Sequence, residues 1–288
     1  SQRVSPSVES MTAATATTPS QTVVAIAQFA PGTDKKANLE SLRSLASDAA
    51  ARGAKVVVAP EYSMFTAPKT DERLIESAED LDGEFGSALA SVAAEFGIFL
   101  VAGMNERIDD VSRISNTLVA MDPNGELVAT YRKLHLYDAF SMKESTNVVP
   151  GDEVPPLVEV AGMNVGLMTC YDLRFPELAR RLVLDGADVL VLPAAWVKGP
   201  LKEAHWEVLV TARALENTCY LVATGECGER NIGQSMVVDP LGVAIARAAE
   251  APALLFAEID PVRIAHARKV LPVLENRCFA RPELRQDA

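Results

Sequence analysis

Histidine is almost missing from this chain: three residues in 288, at positions 135, 205 and 266, with no paired spacing. A recognisable histidine ligand set for a catalytic metal is therefore absent. Cysteine is nearly as sparse, and the residues at 170, 219, 227 and 278 show neither Cys-x-x-Cys spacing nor the density of a disulfide scaffold. Free thiols in a reducing compartment are the expectation. Positive charge is also in deficit, with 27 Lys and Arg against 39 Asp and Glu for a net −12 and no basic stripe. The electrostatic footprint of a nucleic-acid or anionic-membrane partner is missing. No apolar run approaches the roughly 18 residues of a membrane span. Residues 1–20 carry neither the positive n-region nor the apolar h-region of a secretory signal. The expected location is cytoplasmic, with no membrane and no nucleic acid among the partners.

What is present is ordinary for a soluble enzyme: 49% hydrophobic and 23% charged residues, in a length that allows one large domain or two smaller ones. Residues 1–20 are rich in Ser, Thr, Ala and Pro, with Met11 inside them, and read as a disordered, processed or expression-derived extension. A single domain over 21–288 is expected. Its tail, from about 271, carries two prolines and should pack on the body or on a neighbouring subunit.

Apolar spacing predicts strands at 23–29, 55–59 and 98–103 and helices at 36–52 and 83–96. Residues 117–121 and 127–131 should pair across the turn Asp122-Pro123-Asn124-Gly125. The second half then repeats the first in order. RGAKVVVAP at 52–60 matches DGADVLVLP at 185–193, IFLVAG at 98–103 matches CYLVAT at 219–224, and the Asp-Pro-Asn-Gly turn matches Asp-Pro-Leu-Gly at 239–242. Valine- and leucine-rich strands covered by helices, with a hairpin in each half, predict an α/β fold of two sheets stacked face to face. This is a four-layer α-β-β-α sandwich built from two pseudo-repeated halves. A plain doubly wound sheet is the alternative on pattern alone. A last helix is expected after Asp260-Pro261, ending near Lys269.

At the start of the second half a strand pattern over 165–168 stops at Cys170, and a helix pattern starts at Pro176, with Leu178, Leu182 and Val183 on one face. A cysteine on such a turn projects from the end of a sheet near backbone N–H groups, a place suited to a thiolate nucleophile. A cysteine among apolar neighbours is equally an ordinary core residue. As a nucleophile it would need a base and an oxyanion stabiliser. Glu61 ends a buried strand at its carboxyl end, where sites in α/β sheets collect. Lys133 lies within Tyr-Arg-Lys-Leu-His-Leu-Tyr-Asp at 131–138, and Glu144 within a polar loop. Each of the three, taken alone, also reads as a solvated charge. A Cys–His pair through His135, His205 or His266 is another option. Arg174 could bind a substrate carboxylate or form a structural ion pair, and Trp196 could line a pocket or belong to the core.

Three blocks taken together carry more than any one residue: Pro-Glu at 60–61, Tyr-Arg-Lys-Leu-His-Leu at 131–136 and Cys-Tyr-Asp-Leu-Arg-Phe-Pro-Glu-Leu at 170–178. They resemble the signature blocks of the nitrilase superfamily of carbon–nitrogen hydrolases, and the resemblance runs from about residue 23 to the last helix. With Ala-His-Trp-Glu-Val-Leu at 204–209, the chain is most similar to the deaminated-glutathione amidase branch (Nit1-type), with the ω-amidases next. The resemblance implies Cys170 as nucleophile, Glu61 as general base, Lys133 as the cation beside the tetrahedral intermediate and Glu144 as a second glutamate. Tyr171, through its backbone N–H, would share the oxyanion, and Arg174, Trp196 and His135 join it as expected substrate-binding residues. The same resemblance implies the α-β-β-α sandwich, no metal or organic cofactor, and subunits joined as a homodimer or larger homo-oligomer. The activity implied is an amidase acting on a small carboxylate-bearing amide through a thioester. An ω-amidase, an N-carbamoyl amino-acid hydrolase and a nitrilase are alternatives on the same residues, and a ligand-binding module without turnover is the non-enzyme alternative.

Overall fold

Strands that are apolar at every position, rather than at alternate ones, are covered on both faces. In the computed structural model, which describes residues 20–286, three such strands run parallel: β1 (Thr22–Gln28), β2 (Val56–Val58) and β3 (Phe99–Glu106), with Val24 opposite Val56 and Val56 opposite Phe99. β4 (Ser115–Met121) and β5 (Leu127–Arg132) add to β3 antiparallel. Helices α1 (Lys35–Ala51), α2 (Glu72–Ser77) and α3 (Glu84–Phe96) belong to this half. Leu42 and Ala46 of α1 and Phe85 and Leu89 of α3 pack on Ala25, Val57, Leu100 and Val119, the outward side chains of the sheet. Most of the expected extension, residues 1–19, lies outside the described residues.

The second half has the same plan. An edge strand β6 (Val158–Val160) pairs antiparallel with β7 (Met163–Leu167). α4 (Pro176–Leu184), β8 (Val189–Ala194), α5 (Lys202–Asn217), β9 (Tyr220–Gly225), β10 (Met236–Val238) and β11 (Ala244–Arg247) follow. With a last strand, β12 (Ala253–Ile259), the strand orders are β12-β1-β2-β3-β4-β5 and β11-β10-β9-β8-β7-β6, six strands each. Val24, Val56, Val101 and Ala120 of the first sheet face Val165, Leu167, Val189 and Val191 of the second across a wholly apolar layer. Helices lie outside both sheets, so the architecture is the expected four-layer sandwich.

The repeat extends to its turns. Asp122 Oδ1 accepts the N–H groups of Asn124 and Glu126, and Asp239 Oδ1 accepts those of Leu241 and Val243. Each turn ends on a glycine in the left-handed region, Gly125 at φ 79° and Gly242 at φ 82°, and each hairpin shows a register shift beside its turn. At Gly125 a Cβ would also come within 2.7 Å of the Ala90 carbonyl oxygen, so glycine is required there twice over.

Several elements depart from the sequence reading, among them α2, β6 and α5, which had no assignment. β12 (Ala253–Ile259) had no assignment, and it returns to the first sheet to pair antiparallel with β1, from Thr22 opposite Ile259 to Gln28 opposite Ala253. The loop expected around Glu144 contains a single 3₁₀ turn, Glu144–Thr146. After α6 (Pro261–Val270) and the short α7 (Val273–Asn276), the tail lies along α4: Arg181 donates to the Pro282 carbonyl at 2.9 Å, and Arg281 pairs with Asp185 at 2.9 Å.

The two turns differ in one respect that chemical denaturation can read. Asp122→Ala loses two backbone bonds at the surface and should cost about 1 kcal/mol. Asp239→Ala also removes the partner of the partly exposed Arg263, paired with it at 2.9 Å, and should cost up to about 1 kcal/mol more. Equal losses would mean that the Arg263 pair contributes nothing.

Candidate active site

The site is assembled where strands end. β2 stops at Val58, and Ala59 and Pro60 carry the chain to Glu61, which is 1% exposed. The next residue, Tyr62, sits at φ 53°, and Cys170, just past β7, sits at φ 41°. Left-handed backbone at non-glycine residues is strained, and these two of the eight such residues among those described belong to the site. β3 passes close by at Gly103, where a Cβ would fall 2.6 Å from the Tyr62 nitrogen and 2.9 Å from Glu61 Cα. Absence of a side chain there is what gives the Glu61 backbone its seat.

Three donors converge on the Glu61 carboxylate. Lys133 Nζ lies 2.9 Å and Asn116 Nδ2 2.8 Å from Oε1, and the Ala195 N–H, just past β8 in the other sheet, lies 2.8 Å from Oε2. Lys133 Nζ also reaches Glu144 Oε2 at 3.1 Å, and the Tyr62 hydroxyl donates to the same Glu144 oxygen at 3.4 Å. Lys133 follows β5 and is held there by its N–H to the Asn116 carbonyl, at 2.9 Å.

Cys170 opens a 3₁₀ turn, Cys170–Arg174, that is tied down by the fully buried Asp172. Asp172 accepts from the Thr169 N–H (2.8 Å), the Tyr131 hydroxyl (2.6 Å) and the His135 N–H (3.3 Å), and lies 2.7 Å from His135 Nδ1. Tyr131 belongs to β5 of the first sheet, so this carboxylate joins the nucleophile's turn to the strand that precedes Lys133.

Burial, and after it the negative charge of Glu61 and a hydrogen bond to it, push the Cys170 thiol well above its ordinary range, while Lys133 pulls the other way. The sulfur beside Glu61 thus holds its proton more tightly than an ordinary thiol. Burial works against the Lys133 ammonium, but Glu144 and Glu61 outweigh it and hold the charge. Burial raises Glu144, with Lys133 opposing and Glu61 adding to the rise. The arrangement is one buried cation between two carboxylates beside a thiol, able to move a proton off sulfur and stabilise negative charge on a bound oxygen. Among the described residues no group of three or more His, Cys, Asp and Glu side chains is arranged to hold a metal ion.

Glu61, Lys133, Glu144, Cys170, Tyr171 and Trp196 all line one cleft of about 460 Å³. His135 and Arg174, also expected among the substrate-binding residues, do not line it. The His135 ring stacks on Phe175 at 3.8 Å and meets Asp172, so it braces the nucleophile's turn. The Arg174 guanidinium sits 4.8 Å over Trp196 and 3.2 Å from His205 Nδ1, outside the cleft lining. Among the lining residues that escaped the sequence reading are two buried charged groups, Glu226 and Lys202. Glu226, 1% exposed and raised well above its ordinary value by burial and then by Glu61, follows β9 as Glu61 follows β2, so the signal that singled out Glu61 applied to it equally. Lys202, at the first position of α5, had no such signal.

The family model described as carbon-nitrogen hydrolase matches residues 23–269. The chain belongs to the carbon–nitrogen hydrolase family. A deaminated glutathione amidase of Escherichia coli O157:H7 is 48% identical over 262 residues, 91% of this chain and 99% of the relative. Among solved structures, the Caenorhabditis elegans NitFhit protein superposes with a TM-score of 0.85 at 31% identity, covering 91% of this chain and 66% of that longer one. An amidase from Nesterenkonia sp. superposes with a TM-score of 0.75 at 26% identity, covering 88% and 96%. This carbon–nitrogen hydrolase thus shares fold and family with amidases.

The charges around the thiol make opposite predictions for two variants. Glu61→Gln removes an acceptor and a negative charge and should lower the Cys170 titration midpoint; Lys133→Met removes the opposing cation and should raise it. Thiolate absorbance against pH, with Cys170→Ser as blank, reads both shifts, and a midpoint that rises in Glu61→Gln contradicts the assignment.

Proposed function

We propose that this carbon–nitrogen hydrolase cleaves a small carboxylate-bearing amide, with deaminated glutathione the leading candidate substrate, through a thioester on Cys170. The observation that carries the reading is the buried Glu61–Lys133–Glu144 cluster opening onto the same cleft as Cys170. The 48% identity to a deaminated glutathione amidase over nearly its whole length supports the choice of substrate.

Glu61 takes the thiol proton as Cys170 sulfur attacks the amide carbon, so that no free thiolate need accumulate at a site that disfavours it. The oxygen that becomes negative is stabilised by Lys133 Nζ and the Tyr171 backbone N–H, each such donor being worth about 3 kcal/mol. Collapse of the tetrahedral intermediate breaks the carbon–nitrogen bond, and the amine leaves with the proton held by Glu61. Glu61 then takes a proton from water, the hydroxide attacks the thioester, and sulfur departs with that proton. Glu144, held by Lys133 and Tyr62, fixes the ammonium in place through the cycle.

A homo-oligomer in the cytoplasm belongs to the same proposal. It is supported by the free state of Cys170, Cys219, Cys227 and Cys278 and by the exposed apolar Val208 and Leu215 on α5. Among the described residues no helix is long and apolar enough to cross a membrane.

Hydrolysis of deaminated glutathione should fall by more than about a thousandfold in Cys170→Ala, and intact-mass measurement should show an acyl adduct that accumulates on Glu61→Gln and is absent from Cys170→Ala. Full activity in Cys170→Ala would falsify the mechanism.

A further inference from the structure

Two lysines line the cleft at nearly complete burial, and they are partnered differently. Lys133 lies between two carboxylates. Lys202 is 3% exposed, yet no carboxylate among the described residues lies within ion-pair distance of its Nζ. The Nζ donates instead to the Tyr137 hydroxyl at 2.8 Å and is surrounded by the rings of Phe140 (4.7 Å), Tyr137 (4.9 Å) and Trp196 (5.3 Å). Aromatic faces attract a cation, but they replace its water poorly without an anion. Burial accordingly pushes this ammonium below the ordinary lysine range, with Cys170 opposing and nearby Arg174 adding to the fall.

The position is fixed by the fold. Lys202 is the first residue of α5, and its carbonyl accepts the Trp196 indole N–H at 2.9 Å. Trp196 lies just past β8, beside the Ala195 that holds Glu61. Lys202, Tyr137 and Trp196 therefore form one wall of the cleft that contains Cys170. An anion entering there would meet Nζ directly, and the Tyr137 hydroxyl, which accepts from Nζ, keeps its own proton for a second oxygen.

We propose that Lys202 with Tyr137 is the subsite that binds the carboxylate of the substrate's acyl part and selects carboxylate-bearing amides. The proposal rests on the amidase reading and assigns to Lys202 the task the sequence suggests for Arg174. Arg174 stacks on the same Trp196 ring at 4.8 Å without lining the cleft. A neutral acyl chain leaves Lys202 buried without an anion, so discrimination comes from the penalty as well as from the contact.

Glutarate binding to Cys170→Ser protein, followed by calorimetry, tests this without requiring turnover. Lys202→Met in that background should weaken glutarate by at least about tenfold, leave binding of dimethyl glutarate unchanged or tighter, since the penalty for an unmet cation is gone, and leave Tm the same or higher, because it removes an unpaired buried charge. Lys202→Arg should keep most of the glutarate affinity. Glutarate binding unchanged in Lys202→Met, equal weakening of acid and diester, or no glutarate binding by the Lys202 protein would each overturn the subsite. Amide hydrolysis by the wild type is scored separately: its absence alongside Lys202-dependent glutarate binding removes the amidase reading and leaves the anion site standing.

Discussion

Everything near the cleft depends on keeping one ammonium, that of Lys133, inside the protein at full charge. A lysine so buried would shed its proton unless negative groups met it, and Glu61 and Glu144 do so from two different segments of chain. The constraint runs outward from there. Glu61 needs a rigid strand end, a neighbouring strand with no side chain at Gly103, and donors for both its oxygens. Lys133 needs β5 held in register against Asn116. The electrostatic cost of the cluster is met by the packing of two sheets, whose apolar interior excludes the water that would otherwise screen it.

The same cluster explains why the thiol is kept protonated. A cysteine poised as a free thiolate would be open to oxidants and electrophiles. In the proposed mechanism the carboxylate that disfavours the thiolate is also the group that accepts its proton, so the nucleophile is generated only as it attacks. Lys133, bonded to Glu61 in the structure, would in that mechanism steady the oxyanion after the transfer.

Much of this was legible in the sequence. Uniform Val/Ala runs marked doubly covered strands, and the ordered matches between halves pointed to stacked sheets rather than one. Pro176 marked the first residue of α4, as it is in the structure. β12 escaped because Ala-Leu-Leu-Phe-Ala-Glu-Ile has neither strand alternation nor helical spacing, and only its long-range pairing with β1 makes it a strand. In the site, Glu61 was readable because it ends a buried strand. Lys202 was not: beside Glu203 at a helix start it reads as solvated, and its burial is imposed by Tyr137, Phe140 and Trp196 from distant segments. That Arg174 and His135 stand off the cleft lining was hidden for a related reason. Spacing from Cys170 or Lys133 fixes how near a side chain is along the chain and leaves its direction open.

The hydrogen bond from the Ala195 N–H to Glu61 bears on how information is stored in this chain. By the internal match of Pro60 with Pro193, the counterpart of Glu61 in the second half is Ala194, which has no acid to offer. The second half instead contributes a main-chain group from the residue beside it, and a main-chain donor is written in no particular letter. Position 195 could drift through most side chains with the bond intact, leaving a functional contact invisible to any comparison of sequences. Proline is the exception, since it alone has no N–H to give.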